Sequence, residues 1–335
     1  MTLFNKYPFL IGEMSFNFYS IAQKEDCPYF DVAKLMIKEA KKCGLNAVNF
    51  HVGDSEFLHC NFDETISDMP DNLSLDDYKR LAEFCREVGI LFFITPSDFS
   101  HVDALDDVVD AYKIPASDLT NSPFIKHISS KHKPIILSTA AATLKEIKDA
   151  IAVIEDESNF KIALMHSVLS YPTKLEDANL AMIKDLSEYF NEYDIGYSDY
   201  TIPDENMFVL TTAYNYGAVI LEKYFTLDKS LEGHEYSMDP EDVNIFRLNT
   251  SILSKINGFK NKQPLICESF SRRNVRKSII ARKDIEKGSV INESDIEFKR
   301  PGLGISPSEI DNIIGKKATV DILKGFLIDY TMFSD

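Results

Sequence analysis

Short apolar runs alternate with stretches of helical periodicity along most of the chain, beginning with FLIGEMSF at Phe9–Phe16. The run DVAKLMIKEAKKCG that follows is apolar on one helical face and is stopped by Gly44. NAVNFHV at Asn46–Val52 reads as a second strand, and after a polar insertion SLDDYKRLAEFCREVG gives a helix with Ser74 as N-cap and Gly89 as its stop. LFFITP, AYKIP at Ala111–Pro115 and KPIILST at Lys133–Thr139 supply three more strands, with a helix at Thr143–Ile154. KIALMHS at Lys161–Ser167, IGYSDYT at Ile195–Thr201 and AVILEKYFT at Ala218–Thr226 complete eight. Helices are expected between them near Leu175–Phe190 and Asp204–Tyr216, and a last one near Asp239–Asn257 closes the array.

Runs this uniformly apolar suit strands buried on both faces of a parallel sheet. Eight of them, alternating with helical patterns, predict an α/β fold of the (β/α)8 TIM-barrel type. A doubly wound sheet alternates in the same way, but GEMSFNF after the first strand lacks the GxGxxG turn of a dinucleotide site. The barrel is expected over residues 1–260, a polar linker over 261–275, and a small β-rich module punctuated by Gly288, Gly302, Gly304, Gly315 and Gly325 over 276–335.

Composition narrows the function. The 335 residues carry a net charge of −17, a surface that repels phosphate backbones and argues against non-specific nucleic-acid binding. No apolar stretch is long enough to span a membrane, and MTLFNKYPFL lacks the layout of a secretory signal. The five cysteines show no CxxC spacing, so free thiols in a reducing cytoplasm are expected.

In such a barrel the strand ends gather at one rim. Glu13, Thr95, Lys113, Ser138, His166, Ser198, Asp199, Glu222 and Lys223 stand on or at the ends of the expected strands. A lysine in an apolar strand needs an anionic partner, which makes Lys113 and Lys223 candidates for holding a phosphate or carboxylate. The plainer reading of either is an ion pair inside the barrel, with Glu13 or Glu222 for instance. Ser138 and Ser198 are hydrogen-bond donors for phosphate oxygens. His166 is either a general base, a ligand or a satisfied core histidine, and His234, in GHEYS, is expected exposed on a rim loop.

Taken together, IGEMSFN, ITPSDF, YKIPASDLTNSPFI, KPIILSTAAATLKEI, HSVLSYPT, GYSDYT, LEKYFTLD and RRNVRKSIIARKDIEKGSVI…KRPGLGI resemble the sialic acid (N-acetylneuraminate) synthases. Their relatives make legionaminic and pseudaminic acids or act in spore-coat polysaccharide synthesis. The resemblance implies a C-terminal antifreeze-like (SAF) domain and a domain-swapped homodimer. It also implies condensation of phosphoenolpyruvate with the open-chain aldehyde of an N-acylated hexosamine, giving a nine-carbon 2-keto acid. By position it implies a catalytic role for Glu13 and phosphoenolpyruvate contacts from Thr95, Lys113, Ser138 and Ser198. Sugar contacts are implied for Asp118, Tyr171, Glu235 and Arg300.

The chain departs from the family pattern where a manganese or magnesium ion is held. The two histidines of SDHT and EKHFT are Tyr200 and Tyr224 here, and a neutral phenol is a poor ligand for such an ion. Asn49 replaces a lysine, His51 a glutamine, Phe18 a histidine, Ala116 a serine, and Leu169 an asparagine or serine. Three readings remain open. The protein is a condensing enzyme with altered or absent metal dependence, a non-catalytic paralogue that binds a sugar or partner subunit, or an aldolase using Lys113 or Lys223 as a Schiff base.

Overall fold

The computed structural model of the protein describes residues 8–15, 17–53 and 73–334. The chain forms two compact units, Met1–Asn257 and Gly258–Asp335. In the first, β1 (Phe9–Glu13), β2 (Ala47–Val52), β3 (Leu91–Pro96) and β4 (Ala111–Ile114) run parallel. They continue through β5 (Ile135–Ser138), β6 (Ile162–His166), β7 (Asp194–Asp199) and β8 (Ile220–Tyr224). Pairing of β8 with β1, Gly12 beside Lys223 and Glu13 beside Tyr224, closes the barrel.

Strand side chains alternate between two cores. Phe9, Ile11, Phe93, Ile136, Met165 and Ile220 fill the lower interior. Leu10, Val48, Phe92, Tyr112, Leu137 and Leu164 face the helical layer instead. The same alternation carries Glu13, Asn49, Thr95, Lys113, Ser138, Ser198 and Glu222 to the inner face at the C-terminal end, where the apolar filling gives way to polar groups. Gly196 is a packing requirement: a Cβ there would stand 2.2 Å from Met165 Sδ and 2.6 Å from the Ile220 carbonyl oxygen.

The helices are α1 (Asn17–Glu25), α2 (Tyr29–Cys43), α3 (Leu75–Val88), α4 (Phe99–Leu105) and α5 (Ser122–Ser129). After them come α6 (Leu144–Glu157), α7 (Met182–Tyr189), α8 (Phe208–Asn215) and α9 (Pro240–Asn257). Ser74 caps α3 in a reciprocal box with Asp77, and Gly89 ends it at φ 75°, as the sequence predicts. The single helix expected over Leu175–Phe190 is a 3-10 turn at Leu175–Asp177 and then α7. Between them Asn179 adopts φ 46°, a left-handed conformation that breaks the helix and that asparagine tolerates. Helix α8 starts at Phe208 rather than Asp204, whose carboxylate instead accepts from the Asn206 and Phe208 amides at 2.8 Å. The first strand ends at Glu13, and the polar insertion after β2 lies outside the described residues.

The second unit contains α10 (Ser269–Val275), which lies in the stretch read as a linker, and two short antiparallel pairs. These are β9 (Ser278–Ala281) with β10 (Ile296–Lys299), and β11 (Lys317–Ala318) with β12 (Phe333–Ser334). Ile279, Ile291, Ile296, Ile305, Ile313 and Ile328 make its own core. Among the described residues no helix is long and apolar enough to cross a membrane.

Candidate active site

At the C-terminal end of the barrel a cavity of about 450 Å³ is lined by His51, Lys113, Ser138, Tyr171, Tyr200 and Tyr224 among others. Lys113 is one of its charged lining residues. Its ammonium stands 2.5 Å from Glu222 Oε2 and 3.4 Å from Glu13 Oε2, and the side chain is almost fully buried. Burial alone would favour the neutral amine, but the charges of Glu222 and Glu13 outweigh it and hold the group as an ammonium. Three N–H bonds with two carboxylate partners leave one for a ligand oxygen.

The carboxylates are in turn anchored. Ser198 Oγ donates to Glu222 Oε2 at 2.7 Å, from the register position beside it. Glu13 Oε1 accepts from the Ser15 amide at 2.9 Å, and Glu13 Oε2 accepts from Asn49 Nδ2 at 2.5 Å. Asn49 also donates to Thr95 Oγ1 at 2.8 Å, so the asparagine ties β1 to β3 through β2. Burial raises the Glu13 carboxyl above its ordinary range, only partly opposed by Lys113, whose closer partner is Glu222. Ser138 Oγ stands 3.3 Å from Ser167 Oγ on the neighbouring strand end. Burial, with the Lys113 charge adding to it, pushes His51 down to about 4, so its ring is neutral at physiological pH. Glu222 Oε1 and Asn49 Oδ1 are buried acceptors without a protein hydrogen-bond donor, which suits them to the hydroxyls of a polyol or to water.

Tyr171, Tyr200 and Tyr224 line the wall, and Tyr236 packs against two of them. Ring centroids lie 4.7 Å apart for Tyr171 and Tyr200, 5.8 Å for Tyr200 and Tyr224, 5.2 Å for Tyr224 and Tyr236, and 6.1 Å for Tyr236 and Tyr171. Burial raises Tyr200 well above the ordinary phenol range, reinforced by Glu222; burial does the same for Tyr224, reinforced by Tyr200. Both therefore stay protonated, a donor set that does not fit a divalent cation. Among the described residues no group of three or more His, Cys, Asp or Glu side chains is placed to hold a metal.

Not every candidate reaches this cavity. Lys223 faces outward from β8, where it donates to Asp199 Oδ2 at 2.8 Å and to the Thr201 carbonyl at 2.6 Å with no exposed surface. It is a structural ion pair and not an anion holder, because one strand position turns a side chain to the other face. His166 also faces outward. Its Nε2 lies 3.1 Å from the Ala178 carbonyl and its ring stacks on Tyr197, so of the readings open to it the satisfied core histidine holds. His234 is buried, contrary to the exposed loop position expected. Its Nδ1 meets Thr226 Oγ1 at 2.7 Å and its Nε2 meets Ser20 Oγ at 2.6 Å, so two hydroxyls repay its desolvation.

Glu13, Thr95 and Ser198 stand on the inner face beside Lys113 or its partners, while Ser138 and Tyr171 line the cavity itself. Asp118 sits in a 3-10 turn and accepts from Asn121 Nδ2, and neither it nor Glu235, on an exposed turn, lines the cavity. Arg300 is exposed on the second unit. The ion pair with Glu222 that the sequence offered for a buried lysine is present at Lys113, whereas Asn49 and His51 stood in the sequence only as departures from the family pattern. The signal for Glu222 was the two-residue period, which aligns it with Ile220 and Tyr224 on one face.

Residues 36–262 match the model of the NeuB family, and residues 276–334 match that of the SAF domain. An uncharacterized protein of Methanocaldococcus jannaschii is 36% identical over 297 residues, covering 87% of this chain and 86% of its own. The N,N'-diacetyllegionaminic acid synthase of Legionella pneumophila is 33% identical over 316 residues, covering 88% of each chain. Among solved structures, N-acetylneuraminic acid synthetase from Leptospira borgpetersenii in complex with citrate superposes with a TM-score of 0.71 at 28% identity, over 80% of this chain and 90% of that one.

Proposed function

The chain belongs to the NeuB family, and from that premise we propose that it condenses phosphoenolpyruvate with an N-acylated hexosamine of the N-acetylmannosamine type, without the family's divalent metal. The observation that carries this reading is the Lys113 ammonium, held inside a closed barrel and open to the cavity on one side. Lys113 pairs with the anionic groups of phosphoenolpyruvate, Ser138 adds a hydroxyl donor, and Thr95 and Ser198 position the carboxylates beneath. The unpartnered acceptors Glu222 Oε1 and Asn49 Oδ1 suit the hydroxyls of the sugar chain. In the reaction C3 of phosphoenolpyruvate bonds to the aldehyde carbon, water adds at C2, and phosphate leaves as the 2-keto group forms. Tyr171 belongs to the sugar side of this site, and the SAF domain brings Arg300 over a partner's barrel in a swapped homodimer working in the cytoplasm. Asp118 and Glu235, on turns that do not line the cavity, are further sugar contacts in this reading.

Purified protein is mixed with phosphoenolpyruvate and a panel of N-acylated hexosamines, with EDTA or with manganese, and inorganic phosphate is measured. Sugar-dependent phosphate release in EDTA is expected; none under any condition rejects the reading. A second reading, a non-catalytic paralogue that binds a sugar or another synthase subunit, is favoured by Tyr200 and Tyr224 standing at both metal positions and Asn49 at a lysine position. Sugar binding in calorimetry without phosphate release would select it.

A further inference from the structure

Adding a carbon nucleophile to an aldehyde drives negative charge onto the aldehyde oxygen, and a site that accelerates the step must hold that oxygen with donors. Lys113 is poorly placed to do so, since its two carboxylates and the anionic substrate already claim its N–H bonds. The next inward rung of the barrel carries the alternative. On β7 the inner face runs Gly196, Ser198 and continues to Tyr200 just past the strand end, and on β8 it runs Ile220, Glu222, Tyr224. Ser198 and Glu222 are register partners joined by a hydrogen bond, so the two tyrosines stand side by side one step above the carboxylate that holds Lys113. Both line the cavity, and their rings are wedged by Tyr171 and Tyr236 into a closed circuit of four.

We propose that the hydroxyls of Tyr200 and Tyr224 together clamp the carbonyl oxygen of the acceptor sugar, two neutral donors standing where the family resemblance would put a metal ion. The inference rests on the condensing reading and names the residues that make it possible without a metal. Several features support it. Burial keeps both phenols protonated, so each offers an O–H at physiological pH. The Tyr171 ring, its centroid 4.7 Å from that of Tyr200, packs against one of the pair. Packing of the four rings fixes both side chains before the substrate arrives, which is what electrostatic preorganisation requires.

The test is made on Tyr200→Phe and Tyr224→Phe, which keep the rings and their packing, with thermal unfolding measured to show that the fold is intact. With phosphoenolpyruvate and N-acetylmannosamine in EDTA, each variant is expected to lose about tenfold to a hundredfold in kcat, while KM for phosphoenolpyruvate stays within about twofold. Unchanged kcat in both variants, or wild-type turnover that appears only with manganese, overturns the clamp while leaving a condensing enzyme. Where no protein releases phosphate, the condensing reading fails on its own, and the clamp is judged from N-acetylmannosamine affinity by calorimetry. Several-fold weaker binding by each variant then supports the hydroxyl contact, and equal affinity in all three proteins overturns it.

Discussion

Two buried lysines, Lys113 on β4 and Lys223 on β8, look alike in the sequence and do different work in the fold. Each interrupts an apolar strand, each is almost wholly buried, and each pairs with a carboxylate at 2.5–2.8 Å. Lys113 points into the barrel, shares its charge between Glu222 and Glu13, and touches the cavity. Lys223 points into the helical layer, where Asp199 and the Thr201 carbonyl enclose it. For Lys113 the charges of its two partners prevail over burial, whereas for Lys223 burial prevails over Asp199 and lowers its affinity for the proton. The parity of one strand position therefore separates a binding group from a structural one.

The contrast is sharpest in substitution. Lys113→Met is expected to lower kcat/KM for phosphate release by about a hundredfold to a thousandfold, the scale seen when a charge-stabilising donor is removed. Lys223→Met is expected to cost about 3–5 kcal/mol of stability in chemical denaturation, because Asp199 is left buried without its partner. Its turnover per folded molecule should hardly change; a large loss there would erase the distinction.

Two smaller effects probe the inner face and the second unit. His51 is neutral in the fold, with its affinity for protons lowered to about 4 from 6.5, so its contribution to stability is present above pH 6.5 and lost as pH falls toward 4. His51→Asn should flatten that part of the Tm profile against pH, and an unchanged slope would show that His51 takes up its proton alike in the folded and unfolded chain. Arg300→Ala, on the exposed face of the second unit, should raise KM for the sugar about tenfold and leave Tm within about 2 °C. Equal losses of stability and affinity would assign Arg300 a folding role.

Much of the frame was legible because its signals are local. The apolar runs place eight strands, and Ser74 with Gly89 brackets α3 as its capping chemistry demands. Helices α4 and α5 were missed although Asp98 and Asn121 cap them, since seven or eight residues carry too little periodicity to stand out. Glu13, Lys113 and Ser138 were read on or at the ends of strands, and the structure places all three on the inner face. What could not be read was which face each strand presents, because register is fixed by neighbours distant in sequence. That ambiguity left Lys223 and His166 as candidates and hid Asn49, whose amide spans Glu13 and Thr95. His234 was misplaced for a related reason: its partners Ser20 and Thr226 come from opposite ends of the barrel unit.

The most direct measurement is calorimetric titration of phosphoenolpyruvate, in EDTA, into the wild-type protein, Lys113→Met and Lys223→Met. Binding by the wild type, weakening of about a hundredfold in Lys113→Met, and affinity within about threefold of wild type in Lys223→Met are expected. Indifference of the affinity to Lys113, or absence of binding by the wild type, would contradict an anion-holding barrel interior.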